Sequence, residues 1–254
     1  MTAKNVAAFF DIDGTLLSAP SLEMRFVSHL LKQRELHVRA VARWLGKFLQ
    51  EGLRPARHYN AISSRLRALD RNKLYLAGIR RKSLEAFADE STATLPLDEF
   101  FPDAIAQLYW HRERGHKIFL LSGTLAPLAR AVARRLAHTS RITVGATELE
   151  VSREFLTGRI AGEAICGPAK ARTIRRFAAR HGIDLLCSYA YGNSSADRWM
   201  LAAVGHSVAV NPSTDLARLA RRSGWRIAQW SPTFDAAHAL SRDSFAFKGR
   251  PSER

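Results

Sequence analysis

Two acidic side chains, Asp11 and Asp13, follow an apolar run near the start of the chain, within the segment FFDIDGTL. Because alternate residues of an extended chain project to the same side, the two carboxylates would lie close together at the tip of a strand. A divalent cation would offset their repulsion, and Mg²⁺ prefers carboxylate, carbonyl and water oxygens. With a phosphate group bound, one carboxylate could attack phosphorus while the other exchanges protons. Alone, such a pair is also typical of a helix cap, a Ca²⁺ ligand or a loop.

Small and polar residues follow three later apolar runs in the same manner. The runs at 117–121, 187–191 and 207–210 are followed by the segments SGT, GNS and NP, and a helix is predicted from Pro127 to Leu136. Four strand ends, each followed by such residues and then by a helix, predict an α/β fold. We expect a doubly wound, mostly parallel, Rossmann-like sheet with a crevice at the carboxyl ends of its strands.

A long stretch of helical character separates the first strand from the second. Between residues 18 and 96 apolar residues recur at three- and four-residue spacings: Leu22, Phe26, Leu30, Val38, Val41, Leu45, Phe48 and Leu49. A plain crossover needs only about a dozen residues plus loops. We therefore interpret 18–96 as an inserted all-helical cap and 1–17 plus 97–254 as the core. Residues 142–160 predict two or three short strands, and the tail from about residue 241 is expected to fray.

The ordered set of segments resembles the haloacid dehalogenase superfamily, specifically its phosphoserine-phosphatase-like branch (subfamily IB, with a helical C1 cap). The resemblance is carried by FFDIDGTL, WHRERGHKIFLLSGT, ATELEVSREFLTGRI and YAYGNSSADRWML, together with an isolated Lys170 after a Gly-Pro turn, and it spans almost the whole chain. It implies a Mg²⁺-dependent phosphomonoester hydrolase that acts through an aspartyl-phosphate intermediate, with Mg²⁺ as the cofactor.

The resemblance also implies roles for individual residues. It makes Asp11 the nucleophile and Asp13 the acid/base, and Lys170 would neutralise the charges of Asp11 and the phosphate. Ser122 and the amide of Gly123 would bind the transferring phosphoryl oxygens, where fixed donors face developing negative charge. In isolation, the SGT segment is also typical of a helix-entry turn, and a single lysine in so basic a chain is usually on the surface.

The metal ligands implied by the resemblance are Asp11, Asp13, Asn193 and Asp197. Family members more often carry Asp at the first position of the last motif, where this chain has Asn193. An amide oxygen can ligate Mg²⁺ but brings no negative charge. We therefore expect a modest loss of metal affinity, with Asp197 carrying more of the site.

The chain is strongly basic, with a net charge of +16 and a sequence pI near 10.8. This charge predicts attraction to phosphorylated substrates, nucleic acid or acidic lipid, and an Arg-rich solvated surface accounts for it equally well. Cys166 and Cys187 are the only cysteines and form no CxxC pattern, so we expect neither disulfide nor zinc, and a reducing cytoplasm as the location. We predict no signal peptide and no transmembrane segment, which leaves peripheral membrane contact open.

The cap is expected to select the substrate, a phosphorylated small molecule or a lysophospholipid-like ester. Dedicated phosphoserine phosphatases place a Glu a few residues past the DxD loop, whereas here Pro20 stands there and Glu23 comes later, which disfavours phosphoserine. The residues weighed for anion binding or an amphipathic membrane face are Arg54, Arg57, His58, Tyr59, Arg43, Lys47, Trp44, Leu45, Phe48, Leu49 and Leu53. The alternative is a non-catalytic relative that binds nucleic acid or acidic membrane. Retention of the full set of motif residues favours the enzyme: Asp11, Asp13, Ser122, Lys170 and Asp197. Charge without interleaved aromatics argues against nucleic acid.

Overall fold

A parallel sheet of six strands forms the centre of the computed structural model, which describes residues 5–53, 73–137 and 141–232, with side chains up to residue 46 in the first range. The strands are β1 (Ala7–Phe10), β2 (Lys117–Leu125), β3 (Ile142–Thr147), β4 (Leu149–Ser152), β5 (Phe155–Ile160), β6 (Tyr189–Gly192), β7 (His206–Val210) and β8 (Arg226–Ala228). The main sheet has the order β3-β2-β1-β6-β7-β8, and β4 and β5 form an antiparallel hairpin.

Helices connect these strands and cover the sheet. They are α1 (Leu22–Lys32), α2 (Val38–Leu53), α3 (Arg81–Ala93), α4 (Pro102–Glu113), α5 (Ala126–Leu136), α6 (Pro168–His181), α7 (Arg198–Leu201) and α8 (Thr214–Ser223). Proline lies in the first turn of α4, α5 and α6, where its missing N–H costs no intrahelical hydrogen bond. Gly182 and Gly224 end α6 and α8 in the left-handed conformation that glycine adopts without strain. Within the described ranges, no helix is both long and apolar enough to cross a membrane.

The sheet is buried on both faces, which confirms the α/β prediction. All four residues of β1 are buried. Ala8 and Phe10 face one hydrophobic cluster, whereas Ala7 and Phe9 face the other. A parallel strand with helices on both sides has no solvated face, so its sequence is a continuous apolar run and not an alternating one.

Three details of the strands differ from the prediction. The sheet has six strands where four were expected, because β3 and the short edge strand β8 also join it. The SGT segment belongs to β2, which extends to Leu125 through a shift of register against β3 and is not followed by a loop at residue 122. The strand predicted from residue 187 begins at Tyr189, because Leu185 and Ser188 form a turn before it.

Within the predicted insert, 18–96, the described residues form α1, α2, α3 and a 3-10 turn at Leu74–Leu76. The two connections to the core run side by side: Ser18 N donates to Glu99 O and Phe101 N donates to Leu16 O. On the core side, α3 lies against α5, where Arg134 forms an ion pair with Asp89. Residues 54–59, which carry the predicted cap cluster Arg54, Arg57, His58 and Tyr59, lie outside the described residues, as does the tail from residue 241.

Candidate active site

The two acids of the DxD segment lie at the carboxyl end of β1, between β2 and β6. Asp11 N donates to Tyr191 O at 3.0 Å, so the ladder between β1 and β6 continues through Asp11. The chain then turns sharply at Gly14, whose φ of +76° favours glycine. Asp11 is buried and Asp13 is half-buried. This edge of the sheet is where the fold predicts a ligand crevice.

Lys170 connects the first motif to the last. Its Nζ lies 2.6 Å from Asp11 Oδ1 and 2.5 Å from Asp197 Oδ1. Lys170 lies in the first turn of α6, directly after the Gly167–Pro168 turn that starts the helix. All three charged side chains are buried, so the pairs they form are screened little by solvent. Lys170 thus contacts Asp11, which lies 159 positions earlier in the sequence, and Asp197, which lies 27 positions later.

The charges at this point are not balanced. Burial raises the pKa of Asp11, and the negative charges of Asp197 and Asp13 raise it further, whereas Lys170 lowers it. The pKa of Lys170 is itself raised, because two carboxylates outweigh the cost of burying its ammonium group. One ammonium therefore serves two buried carboxylates, and Asp11 lacks a full counter-charge of its own. A further cation at Asp11 would supply it.

Asp197 has both carboxylate oxygens engaged by the protein. Oδ1 accepts from Lys170, and Oδ2 accepts from the backbone N–H groups of Asn193 (3.2 Å) and Ser194 (2.9 Å) and from the Ser194 hydroxyl (2.8 Å). The same bonds cap the 3-10 turn at Ser195–Asp197. Asp197 thus orients Lys170 and holds the last motif in place.

Asn193 lies against the DxD loop. A Cβ on Gly14 would lie 2.0 Å from Asn193 Nδ2, so the amide group occupies the space that any larger residue at position 14 would need. Carboxylate, amide and carbonyl oxygens are the ligands that Mg²⁺ prefers, so the residues gathered here fit a magnesium ion. In the described ranges, no three His, Cys, Asp or Glu side chains are arranged as a group that could hold a metal ion by themselves. The fit therefore depends on Asn193 and backbone oxygens as well as on acids.

Ser122 and Gly123 lie on the strand beside β1. Phe10 is paired with Leu120 in the sheet, so Ser122 follows two residues beyond that pair, next to the DxD loop. Ser122 is buried and its Oγ accepts from Thr124 N at 3.2 Å. The Gly123 carbonyl accepts from the Thr147 hydroxyl at 2.8 Å, which fixes the backbone of the segment.

The sequence analysis named Glu23 as an acid past the DxD loop but did not predict the contacts made beside the two acids. Leu22 N, in the first turn of α1, donates to Asp13 Oδ1 at 2.6 Å. The next residue, Glu23, forms an ion pair with Lys73 and accepts from the Tyr75 hydroxyl. Lys73 lies 50 residues further along the chain in a segment without a motif, so no local signal could have linked it to Glu23.

Comparisons with known proteins point to one family. A family model for the haloacid dehalogenase-like hydrolases matches residues 8–202. Phosphoserine phosphatase SerB1 of Mycobacterium tuberculosis is 32% identical over 232 residues, covering 87% of this chain and 70% of that protein.

Two solved structures share the fold. A protein of unknown function from Bordetella pertussis has a TM-score of 0.68 at 24% identity, covering 89% of this chain and 99% of that one. A phospho-aspartyl intermediate analogue of phosphoserine phosphatase has a TM-score of 0.57 at 18% identity, covering 94% of this chain and 98% of that one.

Proposed function

Because this chain belongs to the haloacid dehalogenase-like hydrolases and is a phosphatase of that family, we propose that it hydrolyses a phosphorylated small molecule through an aspartyl-phosphate on Asp11, with Mg²⁺ as its cofactor. The observation that carries this proposal is the buried contact of Lys170 with both Asp11 and Asp197. A nucleophilic carboxylate must be ionised and fixed in direction. The ammonium at 2.6 Å from Asp11 Oδ1 fixes its direction and favours its ionised form, and Mg²⁺ would supply the rest of the counter-charge.

Asp13 is suited to proton transfer. Burial raises its pKa, and the charge of Glu23 raises it further, whereas the hydrogen bond from Leu22 N lowers it. A raised pKa favours a carboxyl group that carries a proton to the leaving alcohol. Asp11 forms a bond to phosphorus as the bond to the leaving oxygen breaks, and Asp13 protonates that oxygen. Asp13 then takes a proton from water, which attacks phosphorus, releases inorganic phosphate and restores Asp11.

The remaining residues bind and neutralise charge. The Ser122 hydroxyl and the Gly123 amide would donate to the phosphoryl oxygens. Mg²⁺, when bound, would supply positive charge to the phosphoryl group and to the carboxylates. Asp11, the Asp13 carbonyl and Asn193 would hold the ion, while Asp197, predicted as a ligand, would act through Lys170 because its oxygens are engaged elsewhere.

The test is phosphate release from phenyl phosphate by the purified protein. We expect turnover with Mg²⁺, loss on chelation and recovery when Mg²⁺ is returned. Asp11→Asn should lower the rate by about 10³-fold or more, since the nucleophile is removed. Asp215→Asn, which changes an exposed acid on α8, should keep the wild-type rate. Activity that persists in Asp11→Asn would rule out Asp11 as the nucleophile.

A further inference from the structure

A second carboxylate, that of Glu23, follows directly after the contact between Leu22 and Asp13. The N–H of Leu22 contacts the carboxylate of Asp13, the proposed proton donor, and Glu23 is the next residue. The charge of Glu23 acts on Asp13, and its side chain is 20% exposed. Because Asp13 is the proposed donor to the leaving oxygen, Glu23 is the carboxylate that a leaving group extending from phosphorus toward the start of α1 would meet.

That carboxylate already holds an ammonium group from the protein. Lys73 Nζ lies 2.5 Å from Glu23 Oε1 and 2.7 Å from Oε2, and the Tyr75 hydroxyl donates to Oε1 at 2.5 Å. Two donor groups thus make three hydrogen bonds to the two oxygens of Glu23. An isolated carboxylate at this position would attract a cationic substituent of the substrate, but here Lys73 supplies the cation.

Lys73 is held firmly in this place. Its side chain is 3% exposed, so moving the ammonium off Glu23 would leave a buried charge without its partner, which is strongly unfavourable. Its backbone N donates to Gly158 O at 3.2 Å. A Cβ on Gly158 would lie 2.7 Å from Leu74 Cα and 3.1 Å from Lys73 O, so the two segments are in backbone contact. The ring of Trp44 also packs edge-on against Tyr75.

We propose that Lys73 determines specificity by occupying the position of a substrate ammonium on Glu23. The enzyme then selects phosphomonoesters whose leaving group carries no cationic substituent, and it discriminates against amino-substituted esters of the phosphoserine kind. Discrimination of this sort comes from an interaction that the wrong substrate cannot make. This inference rests on the proposed function, because it concerns the leaving group of the same reaction.

The test compares two esters of similar size, O-phosphoethanolamine, which is cationic at its amino end, and ethyl phosphate, which is neutral there. Wild-type enzyme should have the larger kcat/KM for ethyl phosphate. In Lys73→Met, Glu23 keeps the hydrogen bond from the Tyr75 hydroxyl but no longer holds an ammonium, so it can bind that of phosphoethanolamine. The ratio of kcat/KM for phosphoethanolamine to that for ethyl phosphate should rise by about tenfold or more, as expected for one charge-assisted hydrogen bond.

Two further variants test whether the rise in the kcat/KM ratio depends on the carboxylate of Glu23. The double variant Glu23→Gln/Lys73→Met should lose the gain, because the carboxylate is then absent. Lys82→Met, which removes an exposed lysine on α3, should leave the ratio at its wild-type value. If Lys73→Met does not fold, as judged by circular dichroism, Lys73→Gln removes the same charge while keeping a polar contact. A gain for one substrate cannot arise from general damage to the fold.

The inference is overturned if wild-type enzyme prefers phosphoethanolamine, or if the substrate ratio does not rise when the charge of Lys73 is removed. Failure of the proposed function gives a different result. In that case wild-type protein with Mg²⁺ releases no phosphate from either ester or from phenyl phosphate, and the substrate ratio does not exist.

Discussion

His111 is a buried histidine with a partner at each ring nitrogen. Nε2 lies 2.9 Å from the Tyr191 hydroxyl and Nδ1 lies 2.8 Å from Nδ1 of His116, while the Tyr191 hydroxyl donates to Gln107. Burial lowers the pKa of His111 to about 3, with smaller contributions from the charges of His116 and Arg114. The folded protein therefore holds this ring neutral.

This neutral ring makes stability depend on pH. The unfolded chain takes up a proton at His111 near pH 6.5, whereas the folded chain does so only near pH 3. The contribution of His111 to the free energy of unfolding is therefore complete above pH 6.5 and is lost as the pH falls toward 3. In urea unfolding, wild type should lose about 2 kcal/mol more than His111→Gln between pH 7.5 and pH 5. His37→Gln, at an exposed site, should behave as wild type. Equal pH dependence in His111→Gln would contradict the neutral ring.

The hairpin of β4 and β5 is hydrogen-bonded to residues 73–81, in the second half of the predicted insert. Four backbone hydrogen bonds connect them: Lys73 N to Gly158 O, Gly78 N to Leu156 O, Leu156 N to Ile79 O, and Arg81 N to Glu154 O. The alternating sequence at 142–160 predicted the short strands. It could not predict this docking, because the partner segment pairs across some 80 residues and has no strand pattern of its own.

The contact between the hairpin and residues 73–81 can be tested by comparing substitutions at Gly158 and Gly162. Gly158 and Gly162 have nearly the same φ, +78° and +75°, but a Cβ on Gly162 would meet nothing within 4 Å, whereas one on Gly158 would meet the backbone of Leu74. Gly162→Ala should cost about 1 kcal/mol of unfolding free energy from backbone strain alone. Gly158→Ala should cost a further 1–3 kcal/mol or so from the collision. Equal losses in urea unfolding would show that the segments do not pack closely.

At the scale of the whole molecule, the site assembles because parallel strands end at one edge. The sequence predicted the sheet and the convergence of the acids, Lys170 and the last motif, since each motif follows a recognisable strand or opens a helix. It did not predict that Asp197 has both oxygens engaged within the protein, nor that Lys73 lies on Glu23. Both depend on side-chain directions and on contacts between distant segments, which residue type and spacing do not encode.

The most direct test is to find the phosphoryl group on the protein. Asp13→Asn should slow hydrolysis of the aspartyl-phosphate, because the residue that activates water is lost, and phenol leaves without strong need of an acid. The variant would be mixed with phenyl phosphate and Mg²⁺, quenched in acid and mapped by peptide mass spectrometry. We expect one phosphoryl group on the peptide that contains Asp11, at Asp11 itself. A phosphoryl group on another residue, or phosphate release with no phosphorylated protein, would contradict the account.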